Sequence, residues 1–355
     1  MSERLAALGN DILTLAEQLD DTELRRQFHP ALSPIGWHVR HCAFIEALWI
    51  RERVLGDGSR TAALHSLCLP ELAPKAARGE ALPERTVLLD WCRRTMADSQ
   101  ALLPRANGHP MCRDGYLSGF LVNHHAQHLE TMRLVLRERA ADSGRHDIAA
   151  SPICREARAV PSGTWRIGSD GGFAFDNEGP AHSREIAEFA IAVRPVSNGE
   201  YLGFMEAGGY RDKRYWSAAG WNWLAAAGVT QPHGWSSVTN AEAAVIGLSR
   251  HEAGAFAVYA GARLPHEYEW EAAARSGVLE GIGGAWEWCA NAFHPYPGFR
   301  FKPYREYSLP WFDGRHYVLR GAGPDSEPDI RRASFRNYYE PGHRHICAGV
   351  RLVFS

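Results

Sequence analysis

The chain has 355 residues, of which 45% are hydrophobic and 23% charged, a balance typical of a globular protein with room for two domains. Its net charge of −2 and the lack of a basic stripe argue against a nucleic-acid partner. No apolar run approaches the ~20 residues of a membrane span, the N-terminus lacks a signal-peptide core, and the seven cysteines lack the spacing of a disulfide framework, so we expect a cytoplasmic protein with no membrane partner.

The first 140 residues are predicted to be helical, because apolar residues recur there at helical spacing. Four segments show this pattern, at residues 5–15, 35–54, 87–103 and 116–136. Ser33 followed by Pro34 is typical of an N-cap with proline in the first turn. Four such helices with longer connections predict a bundle, and the long loop over residues 55–84 is a candidate to lie near any site within it.

The sequence pattern of the second part of the chain is no longer helical, and a linker is predicted over residues 140–160. Short strands between loops rich in Gly, Pro and aromatic residues are expected, for example at Gly163–Gly168 and His316–Gly321. Two helices are predicted in this part, at Asn198–Ala207 and Arg250–Ala260. We therefore expect an α+β protein, with a helical domain over residues 1–145 and a mixed domain over residues 146–355.

Three histidines carry the strongest chemical signal. His124 and His128 are four residues apart, so on a helix their imidazoles share one face about one turn apart. His41, in a Trp-His-x-x-His segment of another predicted helix, adds a third imidazole. Three neutral imidazoles facing a bundle interior predict a metal site with open coordination positions, which suits O₂ chemistry better than a closed structural site does.

Three side chains close to these histidines have other expected roles. His38 is three residues from His41, nearly on the same helix face, and is predicted to support a ligand from behind. His125 points about 100° away from His124 and is expected to be structural. Glu130 is expected either to orient a ligand imidazole or to form a surface salt bridge.

Motifs in both halves carry a family resemblance. Those of the second half include Phe-Ala-Phe-Asp-Asn-Glu at 173–178, Pro-Val-Ser-Asn-Gly-Glu-Tyr at 195–201, Leu-Pro-His-Glu-Tyr-Glu-Trp-Glu at 264–271, Ala-Trp-Glu-Trp at 285–288, Phe-Arg-Asn at 335–337 and Ala-Gly-Val-Arg-Leu at 348–352. This half resembles the formylglycine-generating-enzyme-like (sulfatase-modifying factor) domain, a variant of the C-type lectin fold. The first half is similar to a DinB-type four-helix bundle. In this order, the pair resembles the ergothioneine-biosynthetic sulfoxide synthases, the EgtB-like non-heme iron enzymes.

The resemblance implies a cofactor and substrates. Enzymes of that family hold Fe(II) on three histidines that match His41, His124 and His128. They use O₂ to join a thiol donor to the imidazole carbon of hercynine, the trimethylated betaine of histidine. A tyrosine assists by supplying a proton or an electron, and Tyr304 and Tyr307 are the candidates here.

The resemblance also implies substrate-binding residues. Gln127 matches a residue that contacts the hercynine imidazole, and Asn337 matches a residue near the betaine. Tyr338 and Tyr339 are further candidates, because a permanent cation favours aromatic faces. Arg93 and Arg94 match loosely a position that grips the donor carboxylate, with a solvated helix face as the alternative. Trp286 and Trp288 belong to the fold motif and are expected in the core.

The donor pocket of the family is altered in this chain. Where one large branch has Trp-Asp and then Arg after the asparagine, residues 338–344 here read Tyr-Tyr-Glu-Pro-Gly-His-Arg, and His125 replaces a usual glutamate. An altered donor pocket beside intact iron ligands resembles the selenoneine synthases. We therefore predict C–Se bond formation with a selenosugar donor, and keep a cysteine or γ-glutamylcysteine thiol, as in ergothioneine synthesis, as the alternative.

Three other functions compete with this prediction. A formylglycine-generating enzyme is disfavoured, because Leu352 stands where that family requires a cysteine. A non-catalytic lectin-like binding protein would be favoured if the three histidines bound no metal. A DinB-type thiol transferase would use the same three histidines to hold Zn²⁺.

Overall fold

The structure is a computed structural model that describes residues 2–140, 148–302 and 304–354. The chain divides into two compact units. The helical unit comprises Met1–Ala140 together with Gly171–Phe173 and Asp325–Ile330, and the sheet unit comprises the remainder. The domain boundary predicted between residues 145 and 146 lies outside the described residues.

Four long helices form the helical unit, as predicted. They are α1 (Ser2–Glu17), α3 (Ile35–Ala47), α5 (Arg85–Leu102) and α6 (Tyr116–Ala140), with the short helices α2 (Asp21–Arg25) and α4 (His65–Cys68) between them. On α1, Leu5, Leu8 and Ile12 recur at three- and four-residue spacing and are fully buried. Every residue of α3 is buried, because α1, α2, α5 and α6 all pack against it. In the described ranges, no helix combines the length and apolarity needed to cross a membrane.

The ends of α3 differ from the prediction. Pro34 occupies the N-cap position and makes no side-chain cap, so the predicted Ser33 cap is wrong. The Ser33 hydroxyl instead accepts a hydrogen bond from the buried Arg78 guanidinium at 2.5 Å. At its C-terminal end, α3 continues as a π-helix over Leu48–Val54, a wider turn that is rare in proteins and frequent at functional sites.

The loop over residues 55–84 is packed tightly against the bundle. Its Cys68 side chain is fully buried, and Gly79 approaches α2 so closely that a Cβ there would lie 2.2 Å from the carbonyl oxygen of Arg25. Arg25 in turn donates to the carbonyl of Leu82 at 2.7 Å. Only glycine fits at residue 79, so this part of the loop has a fixed position against the helices.

The sheet unit contains three small sheets within the described residues. One has the order β1 (Ala157–Val160), β4 (Phe189–Ala192), β9 (Val353–Phe354), and a second pairs β2 (Gly163–Ile167) with β3 (His182–Ile186). The third has the order β7 (Asn337–Tyr339), β6 (Tyr317–Ala322), β5 (Ala285–Ala292), β8 (Ala348–Gly349). The β5–β8 pair is parallel, and the other pairs are antiparallel. The two predicted strands are confirmed as β2 and β6.

Four helices of the sheet unit are described: α7 (Asn198–Glu206), α8 (Ala218–Ala227), α9 (Arg250–Tyr259) and α10 (Glu267–Arg275). The predictions of α7 and α9 are confirmed, and each begins at a serine whose hydroxyl accepts from the third backbone amide of the helix, with a glutamate side chain reaching back. Helices α8 and α10 are not among the predicted helices. The α+β class is confirmed.

Tryptophans and buried ion pairs fill the core of the sheet unit. Trp286 and Trp288 are 2% and 0% exposed, which confirms their predicted core position. Glu287, between them in sequence, accepts hydrogen bonds from Trp270 at 2.5 Å and from Arg351 at 2.7 Å. A buried carboxylate with such partners holds several elements in one register.

Candidate metal centre

His41, His124 and His128 converge in the helical unit. One nitrogen of each imidazole lies within 4.8 Å of the others. The Nε2 atoms of His41 and His124 are 3.1 Å apart, and the His128 ring centroid is 4.4 Å from that of His124 and 4.7 Å from that of His41. Helix α3 supplies His41, and α6 supplies the other two from successive turns.

The spacing of these nitrogens fits a shared metal ion. Two nitrogens bound at right angles, each about 2.1 Å from one ion, lie about 3.0 Å apart. The 3.1 Å between the Nε2 atoms of His41 and His124 matches that separation. Three imidazoles without a carboxylate suit iron or zinc and leave coordination positions for other ligands. The residues present therefore fit the Fe(II) that the family resemblance implies.

The outer nitrogens of two of these rings have fixed partners. His41 donates from Nδ1 to the carbonyl oxygen of Cys68 at 2.7 Å. The Nδ1 atoms of His128 and His38 are 2.9 Å apart, so a proton on one of them joins the two rings. His38 thus lies behind a candidate ligand, although that ligand is His128. The Cys68 carbonyl keeps the His41 proton on Nδ1 and leaves Nε2 free for an ion, and a proton on Nδ1 of His128 would do the same for the Nε2 of that ring.

The imidazoles are held in the neutral form that metal binding requires. Burial lowers the pKa of His38 and of His41 to about 3. Burial, together with the charge of the neighbouring histidines, lowers the pKa of His124 and His128 well below the usual value. At neutral pH no proton competes with a metal for the Nε2 lone pairs.

A buried cation is stacked behind His41. The Trp37 ring lies parallel to the His41 ring at 4.6 Å, and the Arg78 guanidinium lies 3.8 Å above the Trp37 ring centre. Trp37 donates to the carbonyl of Leu67 at 3.0 Å, which fixes the stack. Burial lowers the pKa of Arg78 to about 10, so it remains charged at neutral pH.

No pattern in the sequence indicates a role for Arg78, because this residue lies in an irregular loop that carries no motif. Its guanidinium donates to the carbonyls of Ala73 and Pro70 and to the Ser33 hydroxyl, and the residue is 5% exposed. Together with the Cys68 carbonyl, it places the loop over residues 55–84 directly against the histidine cluster. The expectation that this loop lies near the site is confirmed.

The other predicted residues of α6 lie close to the cluster in sequence but differ in their contacts. His125 is fully buried, and its Nε2 is 2.9 Å from Oε1 of Glu46. Glu130 is buried and accepts from the Ser326 hydroxyl at 2.7 Å, so the surface salt bridge suggested for it is wrong. Gln127 is half-buried, and its backbone carbonyl accepts from the Thr131 hydroxyl at 2.9 Å.

Arg93 and Arg94 have different surroundings on α5. Arg93 is exposed and pairs with Glu17 at 2.7 Å and Asp90 at 2.9 Å, which favours the solvated-face alternative. Arg94 donates to the backbone of Asp90 at 3.2 Å and lines a cavity of about 490 Å³. The other polar residues of this cavity are Arg51, Arg60, Thr95, Asp98 and Ser99. A role for either arginine in donor binding stays a prediction.

The predicted residues of the sheet unit cluster around Tyr338. Its hydroxyl donates to the backbone carbonyl of Tyr307, and its ring stacks on Phe293 with the centroids 4.2 Å apart. Burial, and then the charges of Asp176, Tyr304 and Tyr339, raise the pKa of Tyr338 well above its usual value. Tyr338 is therefore a protonated hydrogen-bond donor at neutral pH.

A carboxyl group missed by sequence analysis lies in the same neighbourhood. Asp176 is 5% exposed and accepts a hydrogen bond from the Ser308 hydroxyl, to which Asn177 also donates at 3.0 Å. Burial raises the pKa of Asp176. The Tyr307 ring, next to Ser308, stacks on Phe175 at 3.9 Å. The Phe-Asp-Asn segment at 175–177 belongs to the family resemblance, and that was the available signal.

The altered segment after Asn337 forms a ring cluster. Asn337 and Tyr339 lie on β7, and the Tyr339 ring is 5.9 Å from those of His343 and His345. The two histidine rings are 5.1 Å apart. Imidazole and phenol groups thus gather in the segment where the family resemblance implies a donor pocket.

Comparisons with known proteins identify both units. Residues 4–132 match the model of the DinB superfamily, and residues 147–282 and 276–355 match that of the sulfatase-modifying factor enzyme 1-like domain. These matches confirm the predicted pairing of a DinB-type bundle with a formylglycine-generating-enzyme-like domain.

Two named relatives span nearly the whole chain, and a third covers about half of it. A hercynine oxygenase of Mycolicibacterium thermoresistibile is 30% identical, over 100% of this chain and 94% of that protein. A hercynine oxygenase of Mycobacterium tuberculosis is 31% identical, over 95% of this chain and 94% of that protein. Ergothioneine biosynthesis protein 1 of Schizosaccharomyces pombe is 27% identical, over 51% of this chain and 27% of that protein.

Proposed function

We propose a function from the premise that the chain belongs to the hercynine oxygenase family: it is an Fe(II)- and O₂-dependent oxidoreductase that bonds a chalcogen donor to the imidazole carbon of hercynine. The observation that carries the proposal is the convergence of His41, His124 and His128 within 4.8 Å. These residues come from two helices, with His41 and His124 separated by 83 residues in the chain, and a merely structural role would not require three neutral imidazoles to face one another.

The histidine cluster favours an anionic second ligand. Three neutral imidazoles leave the 2+ charge of a bound ion uncompensated, and the Arg78 cation adds to the positive potential through Trp37. When bound, a ferrous ion supplies the redox chemistry with O₂ and lowers the pKa of a coordinating thiol or selenol. The protein keeps the imidazoles neutral by burial, and the Cys68 carbonyl fixes the tautomer of His41.

The remaining predicted residues divide between substrate binding and proton supply. Gln127, on the helix that carries His124 and His128, is proposed to contact the hercynine imidazole, and Asn337 to contact the betaine. Tyr304 and Tyr307 are proposed to supply a proton. The role is supported by the hydrogen bond from the Tyr338 hydroxyl to the Tyr307 carbonyl and by the one from Ser308, next to Tyr307, to the Asp176 carboxyl group. Loss of this proton source should divert O₂ toward oxidation of the donor alone.

A selenosugar is the proposed donor. The support is the replacement of the Trp-Asp and Arg of one family branch by the segment at 338–344, with its cluster of Tyr339, His343 and His345 rings. A selenol has a lower pKa than a thiol and needs less assistance to bind as an anion. A neutral sugar also needs no cationic partner for an α-carboxylate, whereas γ-glutamylcysteine does.

The first experiment measures metal content and oxygen uptake. The metal-free chain is reconstituted with Fe(II) or Zn(II), and O₂ consumption is followed with hercynine and a donor present. We expect uptake and a hercynine-derived product with Fe(II) only. Turnover with Zn(II) and no O₂ uptake would favour the thiol transferase and overturn the proposal.

A pair of histidine variants provides the control. His128→Ala should abolish Fe(II) binding and turnover while the circular dichroism of the sheet unit is retained. His109→Ala removes a half-buried histidine whose Nδ1 only accepts from the backbone amide of Met111, so it should bind Fe(II) as the unmodified chain does. Full activity in His128→Ala would contradict the assignment.

The donor is tested by competition. A selenosugar and γ-glutamylcysteine are supplied together with limiting hercynine, and the products are separated by mass spectrometry. We expect the selenium product to dominate. A dominant sulfoxide would leave the iron chemistry intact but move the donor assignment to the thiol.

A further inference from the structure

We propose a second metal site in the core of the helical unit, formed by Cys42, His124 and His125 with Glu46 against His125, for a divalent ion of the zinc class. It is separate from the open face of the three-histidine centre and does not depend on hercynine chemistry. The inference starts from buried polar atoms that lack partners.

Unpartnered atoms are concentrated at this point of the bundle. Glu46 and His125 are both 0% exposed. Neither carboxylate oxygen of Glu46 and neither ring nitrogen of His125 has a hydrogen bond within the described part of the chain, and the same holds for Nδ1 of His124. Leaving such groups unsatisfied in a protein interior costs several kcal/mol in general, so native proteins satisfy them with a partner, a water or an ion.

The Glu46 carboxylate lies against the His125 imidazole. Oε1 and Nε2 are 2.9 Å apart, an ion-pair distance, although the oxygen lies off the direction of the ring N–H. A carboxylate in this place orients the imidazole of a metal ligand and balances part of the charge of an ion bound beside it. The Nδ1 atoms of His124 and His125 remain without a hydrogen bond within the described residues.

Cys42 supplies the anionic donor. Its Sγ, a nitrogen of His124 and a nitrogen of His125 lie within 4.8 Å of one another, and all three residues are buried. Cys42 precedes Glu46 by four residues on α3, so the two side chains share a helix face. Helix α3 thus offers a thiol to two imidazoles of α6 and places a carboxyl group next to one of them.

The donor set and its charge select the ion. Thiolate, imidazole and carboxylate are the ligands of tetrahedral zinc sites. The Cys42 thiolate and the neighbouring Glu46 carboxylate together neutralise a 2+ ion, so the completed site adds no net charge to the interior. On binding, the Cys42 thiol loses its proton to solvent, and no electron is transferred. The three-histidine centre lacks both anionic donors, so the two sites have different preferences.

Cobalt(II) is the probe, because a thiolate ligand produces a charge-transfer band in the near ultraviolet that imidazoles alone do not. Co(II) is titrated into the metal-free full-length chain. We expect two ions per chain and a charge-transfer band. Cys42→Ala should bind one ion without the band, and Glu46→Gln should weaken the band-forming site by about tenfold or more.

Two variants serve as controls. Cys92→Ala removes another fully buried thiol of the helical unit and should keep both ions and the band. His41→Ala should lose the ion of the three-histidine centre but keep the band, so failure of that centre is distinguished from failure of this proposal. A single ion without the band in the unmodified chain, or a band that survives in Cys42→Ala, would overturn the second site. If Cys42→Ala does not fold, Cys42→Ser and the stoichiometry of the unmodified chain decide in the same way.

Discussion

Replacing Arg78 by methionine tests whether the stacked cation sets the affinity of the centre for anions. Methionine keeps much of the side-chain volume and its contact with the Trp37 ring but removes the charge. The guanidinium lies 3.8 Å from the Trp37 ring centre, and that ring lies 4.6 Å from the His41 ring. The Arg78 charge is therefore separated from the His41 imidazole of the metal centre by the Trp37 ring alone.

The size of the effect follows from Coulomb's law. A unit charge roughly 10 Å from an anionic ligand, at an effective dielectric constant of about 20, contributes about 1.7 kcal/mol, which corresponds to about 20-fold in binding. We expect KM for the anionic donor to rise by about that factor in Arg78→Met. KM for hercynine should change little, because the positive charge of its trimethylammonium group and the negative charge of its carboxylate cancel. Arg78→Lys retains the charge and should recover most of the donor affinity.

Steady-state kinetics with saturating hercynine and O₂ measure the donor KM, and thermal unfolding measures stability. Arg250→Met is the matched control, since Arg250 lies 3.9 Å over the Tyr317 ring and donates to the carbonyls of Cys289 and Ala290. Both methionine variants should lower Tm, because each leaves buried carbonyls without donors. Only Arg78→Met should raise the donor KM. Equal KM changes in the two variants, or none in either, would refute the electrostatic argument.

Three further predictions concern the sheet unit. Arg351→Met leaves the buried Glu287 carboxylate without the guanidinium that donates to it at 2.7 Å, so the free energy of unfolding in urea should fall by about 3–5 kcal/mol; a loss under about 1 kcal/mol would contradict this. Gly349→Ala places a Cβ 2.2 Å from the carbonyl oxygen of Val245, and we expect a Tm lower by several degrees, whereas an unchanged Tm would show that the backbone gives way. Burial lowers the pKa of His251 from 6.5 to about 4, so the folded state favours the neutral ring. The free energy of unfolding should therefore keep its full value above pH 6.5 and decrease as the pH falls toward 4. That loss is about 1–2 kcal/mol after solvent screening of a half-buried ring, and an NMR titration giving a pKa near 6.5 would disprove it.

Periodic segments were predictable because their information is local. The apolar spacing along α1, α3, α5 and α6 determines which face of each helix is buried, and the structure has helices at all four predicted positions. The i,i+4 relation of His124 and His128 likewise holds on any helix. Helix α8 escaped prediction because its Ala- and Trp-rich sequence has no polar face to define a period.

The contacts around the histidines were not predictable in the same way. Arg78 reaches Trp37 from a loop without periodic structure, and the Glu46–His125 contact joins two helices whose relative rotation no local pattern specifies. Ser33 was read as a helix cap from its neighbours in sequence, yet its hydroxyl serves Arg78, forty-five residues away. The Ser33 hydroxyl accepts a hydrogen bond from the buried Arg78 guanidinium and does not cap α3.

The sequence alone thus determined the two kinds of domain, the four helices and the three imidazoles, because spacing along a chain specifies what a single helix face presents. Only the tertiary structure decided which groups lie behind those imidazoles: a carbonyl, a second histidine and a cation stacked on tryptophan. Such groups come from separate segments, and their meeting depends on how whole helices and loops pack, which no short stretch of sequence encodes.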